Sequence, residues 1–397
     1  MSTLDRKLVR DLLRMWSQAL TIALVVASAI GGFLTSLSAV DSLQLARERF
    51  YAEGRFADLF AGVKNAPLSL ASRLREAPGV ADVQTTVEQV VRVELPGLPD
   101  PVIGQLIGLD RRRPHRMNLV SLAAGRPLSA QLVVRTDADI ETLVSEAFAQ
   151  ARNLQPGSRL GALINGKRRT LVVVGIALSP EFIFAGLWGM PDARGFGIFW
   201  VDREVLAAAY NMEGAFNRAA FKLAPGAVPQ ATIAAVAELV APYGGREILS
   251  RAEQVSHAML DNEIKQQRVM GTVLPAIFLG VAAFLLNVVV ARLVSTQREQ
   301  IATLKALGYA NTAIAIHYLK LVLLIVLAGL LLGTFIGKEL GYLLTRLYAE
   351  SFHFPTFDHR LAPSLLLLGA GITILTAGIG TLHAIAASAR LAPAEAM

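Results

Sequence analysis

The stretch GTVLPAIFLGVAAFLLNVVVARLV, residues 271–294, decides the fold of this chain. An α-helix needs about 20 mostly apolar residues to cross the hydrocarbon core of a bilayer, and this stretch supplies them. Similar stretches follow it at residues 313–337 and 362–389, and one precedes it at residues 16–40. No comparable run occurs within residues 41–270. The sequence therefore predicts a membrane α-helical bundle of four spanning helices, one before and three after a long insertion.

The composition agrees with a membrane protein. Hydrophobic residues make up 53% of the 397 residues and charged residues 17%, against roughly 25% charged in an ordinary soluble domain. Cysteine is absent, which excludes a disulfide scaffold and a thiolate site. The net charge is +7, but no basic patch interleaved with aromatic residues points to nucleic acid. We therefore expect no nucleic-acid partner.

Basic residues beside the apolar stretches predict the orientation, because Lys and Arg are retained on the cytoplasmic side. The amphipathic segment 1–15 contains Arg6, Lys7, Arg10 and Arg14. The loop at residues 295–312 contains Arg298 and Lys305, and Arg292 lies just before it. We therefore expect both segments, and the C-terminal residues 390–397, in the cytoplasm. Residues 41–270 and the loop 338–361 then lie on the opposite, extracytoplasmic side of the membrane.

Residues 16–40 also follow basic residues, as the apolar part of a secretory signal peptide does. Their apolar core is longer than the roughly 7–15 residues of such a region, and no small-x-small cleavage site follows it. We expect this segment to stay attached as a membrane anchor.

The long insertion mixes both kinds of secondary structure. Runs of β-branched residues bounded by turn formers predict strands, and apolar residues at helical spacing predict helices. The predicted strands are residues 83–97, 132–137, 170–178 and 196–201, and the predicted helices are residues 140–154 and 228–244. The sequence therefore predicts a large α+β extracytoplasmic domain inserted between the first and second spans.

One stretch of this insertion imitates a phosphate-binding loop. GALINGK, residues 161–167, matches G-x-x-x-x-G-K, but Arg168 stands where a Ser or Thr must hold magnesium. Asn165 and Gly166 lie between apolar runs, as in the turn of a β-hairpin. We interpret this stretch as a hairpin.

Motifs for catalysis are missing from the sequence. Neither H-E-x-x-H nor G-x-S-x-G occurs. The tightest group of possible metal ligands, His353, Asp358 and His359, lies in a short loop that we interpret as solvated. We therefore predict no catalytic residue, metal site or cofactor in this chain.

Small residues recur on one face of the third predicted span. They are spaced every four residues, at Gly329, Gly333, Gly337 and Gly341. In lipid, such faces let helices approach closely. Two interpretations stay open, packing within one chain or a seam between two copies. His317 and Lys320, near the inner end of this span, are interpreted as interfacial anchors.

The loop between the second and third spans contains its own short helix. The sequence QREQIATLKALG, residues 297–308, is stopped by Gly308. Ile301, Leu304 and Leu307 fall on one side of it. Such a face lies on a membrane or docks into a groove of a cytoplasmic partner.

These residues resemble a known family. REQIATLKALG at residues 298–308 is similar to the R-E-I-x-x-L-K-A-L-G signature of FtsX/MacB-like (type VII) ABC transporter permeases. LAPAEAM at residues 391–397 resembles their P-A-E-A-L/M ending. SEAFAQARNLQPGSRL at residues 145–160, followed by LVVVGIALSP at residues 171–180, resembles their extracytoplasmic core.

The resemblance implies that the loop helix couples the permease to a separate ABC ATPase dimer, which binds ATP and magnesium, so that this chain is no enzyme. The coupling residues would be Arg298, Glu299, Ile301, Leu304, Lys305, Leu307 and Gly308. It also implies pairing with a second permease copy or homologous half, and mechanotransmission of ATPase movement to the periplasmic domain. Membrane lipids and a periplasmic adaptor or other periplasmic protein are further implied partners.

Three functions fit this arrangement. The leading one is export or extraction of an amphiphilic substrate such as a lipid, lipoprotein, peptide or drug. The alternative is a non-transporting transmitter that regulates a periplasmic partner such as a cell-wall hydrolase. A receptor that signals inward is the third, although no inner output domain is present in the sequence. Whether the chain is a half-transporter or one half of a longer permease stays open.

Overall fold

The computed structural model describes residues 3–97, 100–110, 115–129, 139–186 and 190–389. Two units are distinguished: a membrane unit of residues 1–44, 264–348 and 357–397, and an α+β unit of residues 45–263 and 349–356. The terminal motif at residues 391–397 and the strand predicted at residues 132–137 lie outside the described residues.

The helices are α1 (Thr3–Arg14), α2 (Trp16–Glu53), α3 (Leu70–Arg75), α4 (Glu146–Ala151), α5 (Arg203–Ala209), α6 (Pro229–Val240), α7 (Val255–Thr296), α8 (Arg298–Ala306), α9 (Asn311–Ser351) and α10 (Pro363–Ala389). The strands are β1 (Leu59–Pro67), β2 (Val80–Thr86), β3 (Glu88–Glu94), β4 (Val102–Leu109), β5 (Ser121–Gly125), β6 (Asp139–Ser145), β7 (Arg159–Ile164), β8 (Lys167–Leu178), β9 (Phe196–Asp202), β10 (Ala215–Leu223) and β11 (Ile248–Ser250).

Three helices, α2, α7 and α9, are long and apolar enough to cross a membrane by length and composition. Their most apolar windows have mean hydropathies of 2.1, 2.6 and 2.6. These helices coincide with the first three predicted spans. Helix α10 occupies the place of the fourth, and the count of four crossings stays a prediction.

The spanning helices are longer than their apolar segments. Helix α2 continues past residue 40 to Glu53, and α7 begins at Val255, well before residue 271. Hydropathy marks where the apolar residues end, whereas a helix continues as long as its residues favour it. Residues 41–53 contain neither Gly nor Pro, and several of them are good helix formers.

The glycine face of α9 packs against α2 within the membrane unit. A Cβ atom at Gly329 would lie 2.8 Å from the Ala23 carbonyl oxygen, and one at Gly333 would lie 2.7 Å from that of Ala27. The same atom at Gly337 would lie 2.8 Å from the Leu34 Cβ atom. Of the two interpretations left open by the sequence, packing within one chain is therefore the one the structure supports.

Gly333→Ala is accordingly expected to destabilise the membrane unit. The added methyl group meets backbone atoms of α2, so the helices must separate, at a cost of about 1–3 kcal/mol. The control is Gly371→Ala on α10, where the new Cβ meets nothing within 4 Å. Melting of the detergent-solubilised chain should shift down for Gly333→Ala only. Equal melting temperatures for both variants would contradict this packing.

A four-stranded antiparallel sheet forms one part of the α+β unit. Its strand order is β11-β1-β10-β2. Helix α3 connects β1 to β2, and α6 connects β10 to β11, which is the split β-α-β arrangement. Phe216 and Phe221 of β10 are fully buried beneath these helices, in one core with Val236 of α6.

The chain between β2 and β10 forms a second, mixed sheet. Its order is β5-β8-β6-β9-β4-β3-β7, and β7 also pairs with β8. That last pairing closes six strands into a barrel and leaves β5 as an extra strand on β8. Closure removes exposed strand edges. Phe148 and Phe199 fill the interior edge to face, with ring centroids 5.4 Å apart.

Two sequence predictions for this unit are wrong. Residues 83–97, predicted as one strand, divide at buried Val87 into β2 and β3, which belong to different sheets. The helix predicted at residues 140–154 is strand β6 followed by the short helix α4. Alternation of Ile140, Thr142 and Val144 suits a strand, and pairing of β6 with β8 and β9 outweighs the helical spacing.

Other predictions are confirmed. The strands predicted at residues 170–178 and 196–201 lie in β8 and β9, and α6 falls within the helix predicted at residues 228–244. Asn165 and Gly166 form the turn of the β7–β8 hairpin with φ angles of 45° and 75°. This stretch therefore opens no helix, as a phosphate-binding loop would.

Candidate functional site

The loop helix α8 is set between α7 and α9 by two short connections. Gln297 alone separates it from α7. At its other end Gly308 has a φ of +87°, its N–H donates to the Lys305 carbonyl, and the Tyr309 N–H donates to the Leu304 carbonyl. This is the Schellman termination, in which a left-handed glycine satisfies the last carbonyl groups. The predicted stop at Gly308 is confirmed.

The predicted apolar face of α8 is divided in the structure. Ile301 is 9% exposed and lies in the apolar core of the membrane unit, and Leu304 packs against that core. Leu307, in contrast, is 72% exposed. The first two residues therefore hold α8 onto the bundle, and Leu307 is free to meet a partner.

The remaining predicted coupling residues have different surroundings. Glu299 and Gly308 are exposed, and Lys305 is half-buried. The side chain of Arg298 lies outside the described residues. Two exposed residues that the sequence analysis missed, Gln300 and Thr303, lie on the same side as Leu307. Gln300, Thr303 and Leu307 are spaced at i, i+3 and i+7, and this spacing is the sequence signal for the exposed surface.

A buried polar network anchors the start of α8. The Gln297 side-chain oxygen accepts from the Lys7 ammonium at 2.6 Å and from the Tyr318 hydroxyl at 3.2 Å, and its amide donates to Asp11 at 3.2 Å. Lys7 also pairs with Asp11 at 2.5 Å. This network joins α1, the α7–α8 junction and α9.

His317 lies buried beside this network and is not the predicted interfacial anchor. Its Nε2 atom lies 3.5 Å from the Asp11 carboxylate, and its side chain is buried. The sequence analysis missed Lys7, Asp11 and Gln297 as partners because Lys7 and Gln297 are 290 residues apart in the chain.

The α+β unit contains a second buried cluster of charges. Arg218 of β10 donates to Glu181 at 2.9 Å and lies 3.7 Å from Glu88 of β3. The Asn118 amide donates to the other Glu181 oxygen at 2.6 Å. A cavity of about 20 Å³ adjoins these groups, enough for one water molecule. The cluster links the four-stranded sheet to the barrel.

Burial raises the pKa of Glu181 to about 7, and the Arg218 guanidinium opposes part of that shift. The carboxyl group then binds a proton more readily in the folded chain than in the unfolded one, where its ordinary pKa is 4.5. Its contribution to stability is therefore complete below about pH 4.5 and is lost as the pH rises through about 7.

Glu181→Gln is expected to flatten this pH dependence, because the amide cannot ionise. Between about pH 5 and pH 8 the melting temperature of the parent chain should fall by several degrees more than that of the variant. Exposed Glu238→Gln on α6 is the matched control and should follow the parent. Parallel curves for the parent and Glu181→Gln would show that Glu181 does not titrate in this range.

No metal-binding group of three or more His, Asp or Glu side chains occurs in the part of the chain that the structure describes. His353 contacts Gln150 at 3.1 Å, and His359 contacts Thr345 at 3.0 Å. The loop histidines thus have protein partners.

Comparison with family models gives one match, within the membrane unit. A family model described as FtsX-like permease C-terminal matches residues 272–393. No curated protein sequence matches this chain. The matched segment contains α8 together with most of the apolar parts of α7, α9 and α10.

Two solved structures are similar to the chain at low identity. The periplasmic region of MacB from Actinobacillus actinomycetemcomitans is 11% identical with a TM-score of 0.33, over 53% of this chain and 92% of that one. The extracellular domain of YknZ, a noncanonic ABC-type transporter from Gram-positive bacteria, is 12% identical with a TM-score of 0.31, over 49% and 98%. These two scores say nothing about activity. Residues 272–393 of this membrane protein match the family model described as FtsX-like permease C-terminal, in agreement with the resemblance at residues 298–308.

Proposed function

We propose that this chain is the permease subunit of an ABC transporter and that α8 is the helix that binds its ATPase. The observation that carries the proposal is an FtsX-like domain whose loop helix is fixed to the bundle on one side and exposed on the other. The exposed side includes Glu299, Gln300, Thr303 and Leu307.

The attachment of α8 to the membrane unit suits the transmission of force. Ile301 and Leu304 attach the helix through apolar contacts, and Gln297 attaches its start through hydrogen bonds. Breaking a buried charged network is costly, so a push on Leu307 moves the bundle instead of detaching the helix. A loosely attached helix would absorb that movement.

Helices α2 and α7 are the proposed route to the α+β unit. Each continues beyond its apolar window without interruption, α2 to Glu53 and α7 from Val255. Hydrogen bonds along its axis make a long helix stiff, so it carries displacement, although Pro275 removes one of these bonds from α7. In this account, ATP-driven closure of the ATPase changes the conformation of the α+β unit.

The remaining parts of the proposal follow the family resemblance. The chain hydrolyses nothing itself, and its partner dimer binds ATP and magnesium. Two permease copies or homologous halves pair in a bacterial inner membrane with their termini in the cytoplasm. The transported substrate is amphiphilic and is exported or extracted at the periplasmic side, with a periplasmic adaptor as a further partner.

Affinity capture of the solubilised full chain from its native membrane tests this function. We expect a stoichiometric ATPase with a Walker motif to accompany it. A periplasmic adaptor beside the ATPase would support transport, whereas a cell-wall hydrolase would favour the non-transporting transmitter. Absence of any ATPase, under conditions that preserve weak complexes, would contradict the proposal.

A further inference from the structure

The N-terminal helix α1 has two different surfaces. Leu8 and Met15 lie in the apolar core of the membrane unit, with Leu12 packed against it. The opposite side is exposed and carries Arg6, Arg10 and Arg14 at intervals of four residues. These arginines also predict the cytoplasmic side of this segment, and their alignment gives α1 an exposed basic surface.

An exposed apolar row runs beside the arginines. Leu13 is 69% exposed and Trp16 is 64% exposed. The row continues onto the exposed side of α2 at Leu20 and Leu24, and α2 is a candidate membrane span. Continuity with a lipid-facing surface places this row at the bilayer, where tryptophan is enriched at the interface.

Charge identifies the lipid class. From Arg6 to Trp16 the single acidic residue is Asp11, and it is buried and paired with Lys7. The three arginines therefore face outward with no carboxylate among the exposed side chains of residues 6–16. Basic residues next to an apolar row are typical of helices that bind anionic bilayer surfaces.

We propose that the exposed side of α1, formed by Arg6, Arg10, Arg14, Leu13 and Trp16, binds the headgroups of anionic phospholipids. The buried side of the same helix supplies Lys7 and Asp11 to the network that holds Gln297. Lipid bound to α1 thereby holds in place Gln297, the residue through which the start of α8 is attached to the bundle. This last consequence rests on the proposed function, but lipid binding itself does not.

The test uses the absence of cysteine from the chain. Leu13→Cys, labelled with a fluorophore, is reconstituted in nanodiscs that contain equal fractions of brominated phosphatidylglycerol or brominated phosphatidylcholine as quencher. We expect at least about fivefold stronger quenching by the anionic lipid, since about 1 kcal/mol per basic side chain corresponds to that ratio. The preference should weaken in high salt.

The decisive variant is Arg6→Gln/Arg10→Gln/Arg14→Gln. In this variant, the two lipids should quench the fluorophore equally. Its matched control, Arg73→Gln/Arg92→Gln/Arg194→Gln, removes the same charge from exposed positions of the α+β unit and should leave the preference intact. Equal quenching in the parent chain, or a preference that survives the α1 variant, would overturn the proposal.

A third outcome also overturns it. If neither lipid quenches the label but the captured ATPase changes its fluorescence, the α1 surface binds protein and not lipid. Because ATPase capture is measured separately, failure of lipid binding leaves the proposed function standing, and failure of capture leaves the lipid result interpretable.

Discussion

Leu307→Asp is expected to weaken recruitment of the ATPase by about 30-fold or more while leaving the stability of the chain unchanged. Leu307 is 72% exposed at the end of α8, so the bundle loses no packing. In a complex its side chain would enter a pocket of the partner, and a central apolar anchor contributes about 2 kcal/mol or more. The measurement is affinity capture with quantification of the ATPase.

Two other aspartate variants make the result specific. Leu304→Asp places a charge against the apolar core of the membrane unit. It should therefore destabilise the chain, and a loss of ATPase recruitment in this variant would reflect that lower stability. Val228→Asp adds the same charge at an exposed position of the α+β unit and should affect neither quantity. Normal recruitment by Leu307→Asp would remove α8 as the binding helix.

Arg218→Ala is expected to cost about 3 kcal/mol of stability, since Glu181 and Glu88 lose their shared cation and Glu181 must either bind a proton or remain buried as an uncompensated charge. The cost falls at the lower end of the range for broken buried pairs because the Arg218 side chain retains 28% exposure. Loss of its stacking on the Phe60 ring, 5.3 Å away, acts in the same direction. Chemical unfolding of the full chain in detergent measures the change.

A double variant tests whether buried charge or lost packing causes the loss of stability in Arg218→Ala. Arg218→Ala/Glu181→Gln removes the uncompensated buried charge and should recover part of the lost stability. Arg92→Ala on β3, where the side chain is exposed, should remain near the parent. If the double variant were no more stable than Arg218→Ala, packing and not charge would hold this cluster together.

Hydropathy and turn chemistry predicted the features that depend on local sequence. Apolar length located α2, α7 and α9, the requirement for positive φ located Gly308 and the Asn165–Gly166 turn, and helical spacing located α6. Each of these depends on residues within one or two turns of the chain. The family resemblance rested on short stretches as well, at residues 145–160, 171–180, 298–308 and 391–397.

The sequence did not predict features that depend on contacts between residues far apart in the chain. The division of residues 83–97 follows from β2 and β3 finding partners in different sheets. The free side of α8 depends on where the bundle lies, which spacing alone does not give. The network of Lys7, Asp11 and Gln297 joins residues almost 300 positions apart, so no local pattern contains it.

Crosslinking from α8 tests whether this helix lies against an ATPase in the membrane. In a chain without cysteine, Leu307→Cys carries a unique thiol that a short thiol-to-amine reagent joins to whatever lies against it in the native membrane. Val228→Cys, exposed in the α+β unit, is the control. We expect an ATPase with a Walker motif to be crosslinked from position 307 and not from position 228. Absence of the ATPase at position 307, or equal crosslinking at both positions, would contradict it.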